Sequence, residues 1–130
     1  MRLVNQTESI FIETVIAGCP VTCTVVPCGA DLSITILGGN APHVGSVVMA
    51  VSRPSLTGEG LSATTSVLNR TGHKDDAIAV AVAENLAARL NCAVSCTCGV
   101  HIDNITPDQL SELAQAGTIL VELIMKHLFS

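Results

Sequence analysis

The stretch Arg70-Thr71-Gly72-His73-Lys74-Asp75-Asp76 lies where a run of strand-like segments gives way to a helix-like one. Gly72 supplies backbone freedom for a bend, and the two aspartates suit the positive N-terminal end of a helix. Free backbone N–H groups at such a helix start, together with His73 and Lys74, would contact an anion from three sources. The stretch therefore predicts both the change from sheet to helix and a candidate anion site.

Upstream of this bend, apolar residues that alternate or run continuously predict a β-sheet. Residues 7–24 alternate imperfectly and are interrupted by Gly18-Cys19-Pro20, which predicts two strand pieces with a bend or an edge strand with a bulge. Clearer strand patterns follow at residues 31–37, 46–52 and 61–69.

Downstream of the bend the period changes from two residues to that of a helix. The pattern predicts a helix from about Asp75 to Asn91 and a strand from Ala93 to Val100. A last helix starts after Thr106, with proline at its first position and Gln109 completing a capping box. The order β-β-β-β-α-β-α predicts an α+β fold, an antiparallel meander with two helices packed on one face, in a single domain over residues 1–130.

Composition narrows the possible partners. The chain has 48% apolar residues, 13% charged residues and a formal net charge of −5, and it lacks Trp and Tyr. Nucleic acid is disfavoured because the six basic residues are scattered and there are few aromatic side chains for stacking on bases. So little charge leaves much of the surface apolar or neutral, which predicts self-association.

The N-terminus and the cysteines indicate the compartment. No segment has the length of a membrane span, and Asn5, Gln6 and Glu8 lie where a signal peptide needs its apolar core, so we expect a cytoplasmic protein. None of the six cysteines forms a C-x-x-C pair, which argues against a zinc knuckle or a thioredoxin-type motif. They are interpreted as small buried thiols in a reducing compartment, with a thiolate site as the alternative.

Three of the four histidines occur in predicted turns that contain glycine or proline. These are the opening stretch, Pro42-His43-Val44-Gly45 and Gly99-Val100-His101-Ile102-Asp103. His73 with Asp75 and His101 with Asp103 are imidazole–carboxylate pairings that would form a metal site if the turns meet. The alternative for each histidine is a turn residue bonded to the backbone. Convergence of these turns is the central hypothesis about the site.

The hydroxyl-rich strand before Gly72 is a second candidate. Phosphate recognition by hydroxyls, helped by Arg53, Arg70 or Lys74, is one interpretation, and an ordinary polar strand face is the other. A glycine bend, a cation and a helix start directly after hydroxyls are the parts of which phosphate sites are made. The sequence has no G-x-G-x-x-G, P-loop, G-x-S-x-G or H-E-x-x-H pattern, which favours a binding role over catalysis.

Several motifs together resemble the prenylated-flavin chaperone family, the LpdD-like proteins found beside gallate-type and related decarboxylases. From about residue 38 to the C-terminus the chain carries, in the family's order, Ala41-Pro42-His43-Val44-Gly45, Arg53-Pro54-Ser55, Ala63-Thr64-Thr65-Ser66-Val67, Gly72-His73-Lys74-Asp75-Asp76 and Gly99-Val100-His101-Ile102-Asp103-Asn104-Ile105-Thr106. The Gly-His-Lys-Asp and Gly-x-His-Ile-Asp runs are the specific part.

The resemblance implies a non-enzymatic protein that binds prenylated FMN and assists its delivery to a UbiD-type decarboxylase. It also implies a fold like the proteasome assembly chaperones and pairing into homodimers. Carried over to this sequence, the expected cofactor-binding residues are His43, Arg53, Thr64, Thr65, Ser66, Gly72, His73, Lys74 and His101. A divalent metal bridging to the phosphate would use His43, His73, Asp75, His101 and Asp103.

Two other functions remain open at this stage. The first is a metal-dependent enzyme that uses the histidine and aspartate turns. The second is an assembly chaperone that binds only protein, with its apolar faces as the interface.

Overall fold

Six strands form one mixed sheet in the computed structural model, which describes residues 7–70 and 76–129. The strands are β1 (Ile10–Ile16), β2 (Cys19–Cys28), β3 (Asp31–Gly39), β4 (Ser46–Pro54), β5 (Leu61–Asn69) and β6 (Ala93–His101). The helices are α1 (Asp76–Leu90), α2 (Pro107–Ala114) and α3 (Ala116–Leu128). The predicted α+β class is confirmed.

The strand order is β1-β2-β3-β6-β4-β5, so the sheet is more complex than the predicted antiparallel meander. β6 pairs in parallel with β3 and antiparallel with β4, which it separates. After β5, α1 carries the chain back across the sheet. β6 then lies between β3 and β4 and forms backbone hydrogen bonds with both strands. All other neighbours pair antiparallel.

The N-terminal region is a tight hairpin. The interruption predicted near Gly18 is a reverse turn in which Ala17 has φ 55° and Gly18 has φ 73°, and Ile16 pairs with Cys19 across it. Positive φ at both central residues is the geometry of a type I′ turn, one of the two common two-residue hairpin turns. β1 and β2 are therefore two paired strands, neither a bent strand nor a bulged edge.

Alternation along the strands separates the sheet into two different faces. One face buries apolar side chains such as Ile34, Val48 and Cys96 beneath the helices, and α1 lies against β4, β5 and β6 with α3 packed on α1. Each fully buried aliphatic side chain stabilises the fold by about 1.5–3 kcal/mol relative to exposure. We call the opposite side the open face, which includes Phe11, Glu13, Val15, Thr22, Thr24, Val26, Asp31, Ser33, Thr35, Leu37, Ala93, Ser95, Thr97, Val47, Met49, Val51, Arg53, Ser62, Thr64, Ser66 and Leu68.

The predicted start of the last helix is confirmed, and its continuity is corrected. Thr106 accepts the N–H of Gln109, whose side chain accepts the Thr106 N–H at 3.0 Å, which completes the capping box. The helix then divides at Gln115, whose N–H bonds Glu112 three residues back. Within the described ranges, no helix has the length and apolar character needed to cross a bilayer.

The two long helices approach closely because one of them carries a glycine. A Cβ atom added at Gly117 of α3 would lie 2.6 Å from the Cβ of Ala81 on α1, which is too close for two carbon atoms. The absence of a side chain at this position therefore sets the distance between the helices.

We predict that Gly117→Ala lowers the free energy of unfolding by about 1–2 kcal/mol, because overpacking outweighs the roughly 1 kcal/mol gain in helix propensity. Urea denaturation measures this. The exchange variant Ala81→Gly with Gly117→Ala moves the methyl group to the other helix and should recover most of the loss. A single variant as stable as the wild type would contradict the close packing.

Buried thiols line the core rather than a reactive site. The buried cysteines are Cys23, Cys92, Cys96 and Cys98. Burial raises the pKa of the Cys23 thiol from 9.0 to about 12. Burial, followed by the nearby Asp31 carboxylate, raises the pKa of Cys92 to about 11. Burial, with Cys98 and Cys23 nearby, also raises the pKa of Cys96 well above 9.0. Raised pKa values disfavour the thiolate form of Cys23, Cys92 and Cys96, which supports the structural interpretation of these three residues.

The raised pKa values predict a loss of stability in alkali. Thiols in the unfolded chain ionise near pH 9.0 while Cys23 in the folded chain stays protonated to about pH 12, so stability falls as pH rises through this window. Cys23 alone should contribute a loss on the order of 2 kcal/mol by pH 11. Urea unfolding of Cys23→Ala should show a shallower pH slope, and Cys28→Ala, at an exposed position, should keep the wild-type slope.

Candidate cofactor-binding site

The loop between β3 and β4 crosses the end of β6. Asn40 donates its N–H to the His101 carbonyl at 2.6 Å, and Gly45 donates its N–H to the Cys98 carbonyl at 3.0 Å. The segment that carries His43 is therefore held against the strand end that carries His101. Arg70 donates its N–H to the Gly45 carbonyl at 2.8 Å, so the described chain before the third turn also ends here.

Two glycines allow this crossing. A Cβ atom at Gly99 would lie 1.5 Å from the His43 carbonyl oxygen, so no other residue fits beneath the loop. Gly39 has φ 77°, and a Cβ atom there would lie 2.0 Å from the His101 carbonyl oxygen. Close backbone approach and a positive φ are the two conditions that select glycine.

The His43 and His101 turns are fixed by polar contacts and leave their side chains partly accessible. His101 Nε2 lies 3.0 Å from Asp103 Oδ1, and the Asp103 N–H donates to Asn40 Oδ1 at 2.8 Å. His43 Nδ1 lies 2.9 Å from the Ala41 carbonyl oxygen. The side chains of His101 and Asp103 are 52% and 66% exposed, so their interaction positions the ring more than it stabilises the fold.

The strand of hydroxyls is divided between the two faces. Thr64 and Ser66 lie on the open face, whereas Thr65 lies on the helix side, where its hydroxyl is buried without a hydrogen-bond partner. Thr64 accepts a hydrogen bond from Arg53 Nε at 2.9 Å. Arg53 lies seven residues along β4 from Ser46, roughly 23 Å away at the usual rise. The structure therefore does not bring Arg53 and Thr64 to the turns, and of these hydroxyls Ser66 lies nearer to them.

The remaining predicted residues belong to the opening stretch. Gly72, His73, Lys74 and Asp75 lie outside the described residues. Within residues 7–70 and 76–129, no group of three or more histidine, cysteine, aspartate and glutamate side chains is placed to hold a metal ion. The pair of His101 and Asp103 provides two ligands, and protein metal sites of the zinc type use three or four.

One residue was missed by sequence reasoning. Asn40 joins the loop to the His101 turn through both its N–H and its side-chain oxygen. In the sequence Asn40 lies in Gly38-Gly39-Asn40, a combination that indicates only a turn. The available signal was a polar residue directly after a strand, where it can bond a neighbouring turn. Using that signal requires knowing which strands are neighbours in the sheet.

The described residues also form a shallow groove of about 200 Å³ between β5 and α1, which includes Leu61, Ser62, Glu84 and Arg89. This groove lies at the first residue of β5, whereas the histidine turns lie near the last residue of that strand. It is thus separate from the candidate site.

The fold has a relative among assembly chaperones. A chain in the crystal structure of a chaperone complex for yeast 20S proteasome assembly superposes with a TM-score of 0.62 over 93% of this chain and 97% of that chain, at 12% sequence identity. This similarity is one of fold. The structural class is therefore the α+β fold of these proteasome assembly chaperones, which was the fold predicted.

Sequence comparison identifies the family. The model of the prenylated flavin chaperone LpdD-like domain matches residues 16–129. Protein LpdD from Lactiplantibacillus plantarum is 31% identical over 88 residues, which cover 66% of this chain and 60% of that protein. The chain belongs to the prenylated flavin chaperone LpdD-like family, and the resemblance inferred from the motifs is confirmed.

We predict that Gly99→Ala displaces the loop that carries His43 and lowers the free energy of unfolding by about 3 kcal/mol, since a methyl group would overlap the loop backbone. Hydrogen exchange should show loss of protection at the amides of Asn40 and Gly45. Thr97→Ala, two residues earlier on the same face, is the control and should cost less than about 1 kcal/mol. Equal stability of the two variants would contradict the crossing.

Proposed function

We propose that this chain is a non-catalytic chaperone that binds prenylated FMN and assists its delivery to a UbiD-type decarboxylase. Membership of the LpdD-like family over residues 16–129 supports the class of cofactor and of client. The matched part spans 60% of the LpdD relative, so the identity of the client and the handover belong to the proposal. We further propose that the protein acts as a homodimer, which its low content of charged residues supports.

The convergence of the turns is the observation that carries this proposal. The His43 loop and the His101 turn meet at the end of the sheet where the described chain reaches Arg70. Lys74 and the backbone at Gly72 are the groups proposed to contact the flavin phosphate, since a cation and free N–H groups together bind dianionic phosphate. His43 and His101 lie at this same end of the sheet, each with one ring nitrogen already within hydrogen-bond distance of the Ala41 carbonyl or the Asp103 carboxylate.

The donor set at this end fits the polar half of a flavin mononucleotide. Imidazole nitrogens, a lysine and backbone amides suit a phosphate, whereas the chain has only two Phe and no Trp or Tyr that could stack on the ring. Aliphatic side chains must therefore cover the isoalloxazine. Val44 in the His43 loop and Ile105 after the His101 turn are 58% and 38% exposed and provide apolar surface beside the histidines.

The alternatives have less support. A metal-dependent enzyme needs a ligand set that includes His73 and Asp75, since the described residues contribute only the exposed His101–Asp103 pair. A chaperone that binds only protein would leave the family's flavin association unexplained. Both predict that the purified protein binds no prenylated FMN.

We predict that Lys74→Ala weakens the binding of prenylated FMN by roughly 1.5–3 kcal/mol, about 10- to 150-fold, because one charge-assisted contact to the phosphate is lost. Anaerobic titration followed by native mass spectrometry measures the affinity and the stoichiometry together. Lys126→Ala is the matched control, because Lys126 is an exposed lysine on α3, and it should bind like the wild type.

The outcomes separate the hypotheses. Equal affinity of Lys74→Ala and wild type would remove Lys74 from the phosphate site while leaving the carrier function intact. A wild-type protein that gains no flavin mass under these conditions would overturn the carrier function itself. Bound metal in that flavin-free protein, with a catalytic turnover abolished by a chelator, would favour the enzyme instead.

A further inference from the structure

β5 forms one edge of the sheet, and within residues 7–70 and 76–129 no strand lies on its outer side. Its register with β4 continues into a hydrogen bond at each end. The Arg70 N–H bonds the Gly45 carbonyl at 2.8 Å, and the Ser55 N–H bonds the Gly60 carbonyl at 3.0 Å. Because hydrogen-bonded and non-bonded pairs alternate in an antiparallel ladder, the even-numbered residues of β5 bond β4. The backbone groups of the other residues point away from the sheet, and we call these the outward residues: Leu61, Ala63, Thr65, Val67 and Asn69.

The edge lacks the features that usually discourage pairing with another strand. Natural sheets protect their edges with charged side chains, proline, bulges or very short strands. β5 has nine residues, Leu61–Asn69, with no charge and no proline, and it pairs with β4 without a bulge. β1, at the opposite edge, carries the exposed Glu13 at its centre. No hydrogen bond between described residues uses the N–H or C=O groups of the outward residues. The β5 edge is therefore open to another strand.

A groove beside this edge can receive side chains from an added strand. The outward residues direct their side chains to the helix side, where Leu61 is 44% exposed and Val67 is 39% exposed. The groove between β5 and α1 continues that surface with the small side chains of Ala63 and Ala88. Since alternate residues of a strand point to the same face, every second side chain of an added strand would enter this region.

One charge in the groove indicates the chemistry of the partner. Glu84 of α1 lines the groove and is half-buried, and among the described residues it makes no ion pair or side-chain hydrogen bond. The cation beside it, Arg89, is already paired with Glu122 at 2.7 Å. A half-buried carboxylate gains most from a cation that arrives with the partner and shares its desolvated position.

We propose that β5 accepts an extended segment of a partner protein as a seventh strand, with a lysine or arginine of that segment against Glu84 and apolar side chains beside Leu61 and Val67. Main-chain hydrogen bonds to the outward residues supply the affinity, and the alternate side chains in the groove supply the specificity. This interaction goes beyond the function proposed above, and it does not involve the turns assigned to the flavin.

Other occupants fit this edge less well. A second copy that paired through its own β5 would bring no cation to Glu84, because β5 contains no basic residue. A nucleic acid has no backbone that pairs with a strand, and the net charge of −5 opposes it. A segment of another protein is the occupant that provides both the backbone and the charge.

Hydrogen exchange of the wild-type protein alone tests the state of the edge. The amides of Leu61, Ala63, Thr65 and Val67 should exchange much faster than those of Ser62, Thr64, Ser66 and Leu68, which bond β4. Slow exchange of the outward amides would overturn the proposal, because part of the protein would already cover them. The same result appearing only as protein concentration rises would assign the edge to a second copy and would also overturn it.

Peptide binding tests the partner. The probe is the capped peptide acetyl-Thr-Val-Thr-Lys-Thr-Val-Thr-amide, titrated at up to millimolar concentration against the isotope-labelled protein and followed by NMR. We expect saturable shifts along β5 and slower exchange of the outward amides only. The same peptide N-methylated at every residue cannot donate main-chain hydrogen bonds and should not bind. No protection by the first peptide, or equal binding of the second, would overturn strand addition.

Glu84→Gln tests the charge without disturbing the strand. This variant should bind the lysine peptide about 2- to 5-fold more weakly, the range of a partly exposed ion pair. Glu112→Gln, an exposed glutamate on α2, is the matched control and should bind like the wild type. A peptide with glutamate in place of lysine should lose affinity for the wild type and regain part of it with Glu84→Gln. Equal affinity of Glu84→Gln and the wild type for the lysine peptide would overturn the proposed basic partner.

Discussion

The insertion of β6 between β3 and β4 is the constraint on which the rest of the structure depends. Because β3 and β4 each pair with β6, they lie two strand spacings apart, roughly 10 Å. The loop from Asn40 to Gly45 must bridge that gap, and it does so by passing over the end of β6. The same crossing brings the His43 loop onto the His101 turn, and β5 returns the chain to Gly45 at Arg70. The position of β6 in the sheet thereby brings the His43 loop, the His101 turn and the end of β5 close together, although they are distant in sequence.

Local pattern was enough for the elements and not for their arrangement. The clean alternation from residue 31 to residue 37 and the capping box at Thr106 each depend on neighbours in sequence, and both were correct. The place of β6 depends on competition between strand edges across the whole chain, for which periodicity carries no signal. The break at Gln115 is equally hidden, because a 3₁₀-type bond at one residue leaves the apolar spacing of the helix intact.

The candidate site was predictable to a similar degree. Glycine and histidine in the same turns indicated a candidate site there. The structure holds the His43 loop against the strand end that carries His101. Alternation alone should have placed Thr65 on the opposite face from Thr64 and Ser66, since adjacent strand residues point to opposite sides. The distance of Arg53 from the histidine turns could be inferred only from the register of β4 against β6. The sequence therefore indicated which residue types form the candidate site more readily than it indicated the distances between them.

Exposure of the histidine turns would suit a protein that passes its ligand on. On the function proposed above, partly exposed histidines on turns supported by backbone contacts would contact the phosphate and leave the rest of the flavin accessible to a client. Affinity differences between related complexes arise mainly from dissociation rates, so an open site favours release. The helix side of the sheet builds the core, and the turns proposed to contact the cofactor lie at the end of the sheet, outside that core.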